Sequence, residues 1–143
     1  MTARDESAQG FAIEAARTLE DAKCEDIVVL DIRALSDVTD FVVIGTGTSD
    51  RQMRSAIEDV REAGERMGHG AYRSSEDERA VWLLADFVNV VVHLFEPNTR
   101  TYYDLEMLWG DADRVVWSRD GNEHERNLAG LRPDERLGAG DPQ

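Results

Sequence analysis

The chain has 143 residues, 41% of them apolar and 32% charged, and carries a formal net charge of −14. That length suffices for one core without disulfides or metals, so a single globular domain is expected. No run approaches the roughly 18 apolar residues of a membrane span, the N-terminal MTARDESAQG lacks the apolar stretch of a secretory signal, and the acidic balance disfavours broad gripping of phosphate backbones, which together indicate a cytoplasmic protein without direct nucleic-acid readout.

From Ser7 to Lys23, the residues Phe11, Ala12, Ala15, Ala16, Leu19 and Ala22 recur at three- and four-residue spacing and predict an amphipathic helix packed on a sheet. Cys24 follows. As the single cysteine it forms no internal disulfide, and with histidines scattered at 69, 93 and 124 there is no metal-ligand spacing, so a shielded thiol is expected. Ile27 to Ile32 is a β-branched run without alternation, as in a strand covered on both faces. Ser36-Asp37 reads as a turn, and Asp40 to Ile44 as a second strand running into Gly45-Thr46-Gly47-Thr48-Ser49. Met53, Ala56, Ile57, Val60, Ala63 and Met67 then form another helical stripe. Its start is marked by the capping-box spacing of Ser49 and Gln52 and by Asp50 at the positive end of the dipole, and Gly68 is a natural stop.

The polar segment His69 to Arg79 reads as a loop with a short strand near Ala71 to Arg73. Ala80 to Ala85 and Val88 to Phe95 are strands separated by very few residues, which predicts an antiparallel hairpin. Its turn, Asp86-Phe87-Val88-Asn89, offers only Asp and Asn where a tight hairpin prefers Gly. Pro97 suits the first turn of a helix over Asn98 to Trp109, ended by Gly110, and Val115-Val116-Trp117 adds an edge strand. Residues 1–117 are thus expected to form one α/β domain, a mixed β-sheet flanked by helices. Residues 118–143 are acidic with three Leu as their only large apolar residues and are expected to form a disordered tail.

Three constellations bear on chemistry. The Gly45 to Ser49 turn lies between a strand and a helix start, where backbone N–H groups can hold a phosphate. It lacks the third Gly of a dinucleotide fingerprint and the Lys of a P-loop, and a tight structural turn is the stronger reading; a nucleotide-binding or nucleotidyltransferase-type enzyme is the alternative it leaves open. No carboxylate pair at strand spacing accompanies it to hold a magnesium ion, and no cofactor is expected. On the Val88 to Phe95 strand, Asn89, Val91, His93 and Phe95 share one face. His93 reads as a packed, hydrogen-bonded histidine rather than a base or ligand, the alternative being that this face is half exposed and available to a partner. Last, Tyr102, Leu105, Glu106 and Trp109 fall on one helix face, aromatics beside carboxylates that suit a basic protein partner, with Leu105 and Leu108 expected inside.

The order of these pieces carries a resemblance: Asp40-Phe41-Val42-Val43-Ile44-Gly45-Thr46-Gly47-Thr48-Ser49-Asp50-Arg51-Gln52, then Trp82, then Val91-Val92-His93-Leu94-Phe95, then Arg100-Thr101-Tyr102-Tyr103-Asp104-Leu105-Glu106-Met107-Leu108-Trp109. Over about Phe11 to Trp117 the chain resembles the ribosomal silencing factor family (RsfS, Iojap-like). The resemblance implies a nucleotidyltransferase-like fold without catalytic carboxylates, a non-enzymatic factor, and a tendency to homodimerise. It further implies binding to the large ribosomal subunit through ribosomal protein L-fourteen, and repression of translation by blocking subunit joining. It places the docking surface on Trp82, His93, Tyr102, Tyr103, Asp104, Glu106 and Trp109. The chain departs from the family pattern at Phe87-Val88, where a Gly before an Asp is usual, and in its long C-terminal extension.

Overall fold

A helix opens the chain because Thr2 and Asp5 cap each other: the Asp5 N–H donates to Thr2 Oγ1 at 3.1 Å and the Thr2 N–H to the Asp5 carboxylate at 3.2 Å. This box starts α1 at Ala3, four residues before the expected start at Ser7, and the helix runs Ala3–Asp21. The structure, a computed structural model, describes residues 2–70, 73–76 and 81–119. After α1 come β1 (Glu25–Asp31), β2 (Phe41–Thr46), α2 (Asp50–Arg66), β3 (Arg73–Glu76), β4 (Trp82–Asp86), β5 (Val90–Phe95), α3 (Pro97–Tyr103), α4 (Leu105–Leu108) and β6 (Asp113–Arg114).

The strands form one mixed sheet in the order β3-β4-β5-β2-β1-β6, in which β2 and β5 are parallel and every other pair is antiparallel. The α/β architecture with a helix-flanked mixed sheet is therefore as the sequence indicates. Helices α1 and α2 cover one face. Ala8, Ala12, Ala15 and Ala16 are fully buried there, and small side chains let α1 lie close to the strands while Phe11 and Leu19 fill the remaining space. Phe11 stacks on His69 at 5.0 Å and meets the edge of Phe87 at 4.7 Å; burying such a ring contributes about 2 to 3 kcal/mol. Cys24 is buried, and desolvation pushes its thiol up to about 11, so it is the shielded group expected.

Three elements differ from the sequence reading. Where a loop was expected after His69, Arg73–Glu76 forms β3, an edge strand paired with β4 over Arg73↔Asp86 to Glu76↔Leu83; Ala71 and Tyr72 lie outside the described residues. The last strand is Asp113–Arg114, on the edge of β1, rather than Val115 to Trp117. Trp117 is instead a buried plug on the first face: its indole N–H donates to the Ile27 carbonyl at 3.2 Å, and Arg17 Nε donates to the Trp117 carbonyl at 2.6 Å. Arg119 continues this strap with two 2.8 Å bonds to the Asp21 carboxylate, so the described chain stays on α1 past the expected boundary at residue 117. Of the tail expected to be disordered, 118–143, residues 120–143 lie outside the described set.

The β4–β5 turn shows how the Gly-free sequence is accommodated. Val88 takes φ 76°, its N–H held by Asp86 Oδ1 at 2.8 Å, while Phe87 is buried. A β-branched residue in the left-handed region costs about 1 to 2 kcal/mol, part of which Gly would return in its own chain entropy. Val88→Gly is expected to raise stability by about 0.5 to 1 kcal/mol. Urea unfolding measures it, and a destabilised variant would mean that the side chain matters more than the strain.

Candidate partner-binding site

Among the described residues, no long helix lies over the second face of the sheet. Period-two alternation places Val28 and Leu30 of β1, Val42 and Ile44 of β2, Val91, His93 and Phe95 of β5, and Trp82 and Leu84 of β4 on this side. The short α4 and its flanks cover one part: Leu105, Trp109 and Ala112 pack on a buried cluster of Val28, Leu30, Ile32, Val42, Ile44 and Phe95, with Trp82 at its rim. Beyond that cap, Leu84, Val91 and His93 remain only half-buried.

Trp82 and His93 meet across β4 and β5. The Trp82 indole N–H donates to His93 Nδ1 at 3.1 Å, and both rings contact Phe95, Trp82 at 5.0 Å and His93 stacked at 6.1 Å. Since Nδ1 accepts, the imidazole proton sits on Nε2. Burial lowers the His93 pKa to about 4, against a weaker opposing pull from Asp86, so the ring is neutral at physiological pH and serves as a packed acceptor rather than a base. Because the folded pKa lies below the ordinary 6.5, the stability linked to His93 is complete above about pH 6.5 and is lost as the pH falls toward 4. His93→Gln, whose amide oxygen can still accept from Trp82, is expected to remove that decline, worth about 3 kcal/mol at the most. Urea titrations near pH 7 and about pH 4.5 compare the two proteins, and equal losses in both would rule His93 out as its source.

The segment after Pro97 corrects the expected single helix. Glu96 caps α3 by accepting from the Asn98 and Thr99 N–H groups at 2.8 and 2.9 Å, but the helix stops at Tyr103. Asp104 takes φ 48°, ψ 57°, a left-handed corner that starts α4 in a new direction. Tyr102, Leu105, Glu106 and Trp109 therefore do not share a face. Leu105 and Trp109 turn toward the sheet, whereas Tyr102 is 82% exposed. Leu108, expected inside, is 67% exposed, beside Met107 at 76%. Asp104 is exposed; Tyr103 ends α3 and its side chain lies outside the described set. Glu106 is no free charge: its carboxylate meets Arg100 at 3.0 Å and Arg114 at 3.8 Å.

The structure thus brings Trp82, His93 and Trp109 together on the second sheet face and sets Tyr102 and Asp104 on an adjoining exposed surface. Met107 and Leu108 lie on this exposed surface, Leu84 on the half-buried sheet face and Arg100 beneath the corner, none of which the sequence reading set at a partner surface. The one available hint was Asp104 itself, since Asp is among the few residues that tolerate a left-handed corner.

The Gly45 to Ser49 turn is explained by packing. A Cβ on Gly47 would overlap the buried Met53 side chain, and one on Gly45 would sit 3.1 Å from Leu19 Cδ1. Its N–H groups are also engaged: Gly47 donates to the Phe95 carbonyl at 2.8 Å, Thr48 to Gln52 Oε1 at 2.9 Å, and Gln52 to Ser49 Oγ at 3.1 Å. These three donors are thereby committed to the fold.

A family model described as "Ribosomal silencing factor during starvation" matches residues 5–137. The chain belongs to the ribosomal silencing factor family. It is 37% identical over 98 residues to the ribosomal silencing factor RsfS of Bacillus subtilis, covering 68% of this chain and 83% of that one. It is 32% identical over 123 residues to the chloroplastic protein Iojap of Arabidopsis thaliana, covering 86% of this chain and 51% of that protein. A crystal structure of a Chromobacterium violaceum protein superposes with a TM-score of 0.67 at 35% identity, covering 77% of this chain and 88% of that one. Within this ribosomal silencing factor fold, no described helix is long and apolar enough to cross a membrane. Among the described residues, no group of three or more His, Cys, Asp or Glu is placed to hold a metal ion.

Proposed function

We propose that this chain is a ribosomal silencing factor in the full sense of its family: a cytoplasmic, non-enzymatic protein that needs no cofactor, binds the large ribosomal subunit through ribosomal protein L-fourteen, and represses translation by blocking access of the small subunit. The observation that carries this reading is the exposure of Tyr102, Met107 and Leu108 beside the half-covered sheet face of Leu84, Val91 and His93. Exposed aromatic, Leu and Met side chains are what a protein interface selects, and a chain of net charge −14 is steered toward a basic partner. In this reading the docked domain obstructs the approach of the small subunit. The exposed apolar surface is also compatible with a homodimer when no ribosome is present.

Co-sedimentation with isolated large subunits tests the reading. Binding is expected at low ionic strength and weakens as salt shortens the screening length to about 10 Å near 0.1 M. Bound protein should also reduce formation of whole ribosomes when small subunits are added. Absence of association at low salt, or subunit joining unaffected by saturating protein, would overturn the proposal.

A further inference from the structure

The corner between α3 and α4 is held by one side chain. Arg100 lies in the last turn of α3, and its side chain is only 12% exposed. Nη1 donates to the carbonyl of Asp26 and to Thr46 Oγ1 at 2.7 Å. On its other edge, Nε and Nη2 reach Glu106 Oε1 at 3.1 and 3.0 Å. Asp26 sits where the β1–β2 register shifts, with φ 50°, and Thr46 ends β2, so both acceptors belong to the rigid sheet. Glu106 belongs to α4, beyond the left-handed corner at Asp104, and its second oxygen faces Arg114 of β6 at 3.8 Å.

A four-residue helix has no stability of its own, because one turn fixes several residues for very few hydrogen bonds. Leu105 and Trp109 hold the inner side of α4 by apolar contact, which is non-directional. The direction in which Met107 and Leu108 face depends on where Glu106 is pinned. Only a planar fork with donors on two edges can reach the sheet and Glu106 at once, and a lysine ammonium cannot span both.

We propose that Arg100 is the positioning residue of the docking surface: by tying β1 and β2 to Glu106 across the Asp104 corner, it sets α4 so that Tyr102, Met107 and Leu108 present one surface to the partner. This rests on the ribosome-binding reading above. Arg100 itself does not touch the partner.

The test is a double-mutant cycle on the full chain, reading affinity for isolated large subunits, with unfolding midpoints recorded separately. Arg100→Met is expected to bind about tenfold more weakly, with Arg100→Lys recovering only part of the loss. Leu108→Ala should weaken the parent protein but cost less than about twofold more in the Arg100→Met background, since the surface it belongs to is already misplaced. Losses that simply multiply, or an Arg100→Met protein that binds as well as its parent while Leu108→Ala does not, would overturn the inference and leave the ribosome reading standing. A parent protein that fails to bind overturns that reading, and this inference with it. If Arg100→Met does not fold, the same cycle with Arg100→Lys decides by the same criterion of coupled against independent losses.

Discussion

Leu108→Arg is expected to lower the affinity for isolated large subunits by about thirty- to a hundredfold while leaving stability within about 0.5 kcal/mol of the parent. The two effects separate because Leu108 is 67% exposed, so the substitution opens no cavity, and Leu108 belongs to the second cluster neither as a buried member nor as a packed one. A long cation at the centre of an apolar contact loses buried area and must be desolvated, and against a basic partner it also adds like-charge repulsion. Titration of the variant against large subunits, beside a urea unfolding curve, reads both quantities. A folded variant that binds as tightly as its parent would remove the α4 surface from the interface. Glu106 is the wrong residue for this test. Reversing its charge would set three guanidinium groups side by side, with Arg100 at 3.0 Å and Arg114 at 3.8 Å from its present oxygens, and would disturb the corner rather than the contact.

Gly64→Ala is expected to destabilise the domain by about 2 to 3 kcal/mol, although helix propensity alone would favour Ala by about 1 kcal/mol. Gly64 lies inside α2 and is fully packed. A Cβ there would stand 2.5 Å from the His69 carbonyl oxygen, 2.8 Å from Phe87 Cε1 and 3.1 Å from Phe11 Cζ. The first of these is backbone and is fixed in place, because the His69 N–H donates to the Gly64 carbonyl at 2.6 Å and closes the end of the helix. The two rings are already in contact with each other at 4.7 Å. Relief therefore requires α2 to move off α1, and sterics outweigh propensity. Thermal or urea unfolding measures the change, and a variant as stable as its parent would show that the end of α2 yields easily.

These two positions mark what could and could not be read from the chain. The stripes of α1 and α2 and the β-branched runs of β1, β2 and β5 were legible because in each the local pattern and the tertiary role agree: residues spaced for one face are the ones the core buries. The alternation of β5 was equally legible, and it put His93 on the second face with Val91 and Phe95, where the structure places it. β3 was not legible, since Arg73-Ser-Ser-Glu has no apolar residue and becomes a strand only through backbone pairing at an edge. The α3–α4 corner was not legible either. Helical periodicity carried straight through Asp104 puts Leu108 inside, and only the anchoring of Leu105 and Trp109 on the sheet, with Glu106 on Arg100, decides that the chain turns. The Gly45 to Ser49 turn reads as structural ahead of phosphate-holding, and its glycines are clearance for Leu19 and Met53.

The strap that lays Trp117 against Ile27 and Arg17 also governs when the molecule can come into being. Trp117 is a member of the first core, and its contacts reach back 90 and 100 residues, as those of Arg119 reach back 98 to Asp21. Closing such long loops must precede the reward for closing them, and this slows folding. During synthesis, α1 and β1 leave the ribosome long before Trp117 and wait with a gap in their packing until the strap emerges. A factor whose family acts on ribosomes thus completes its own core only once the strap is free to fold back on α1 and β1.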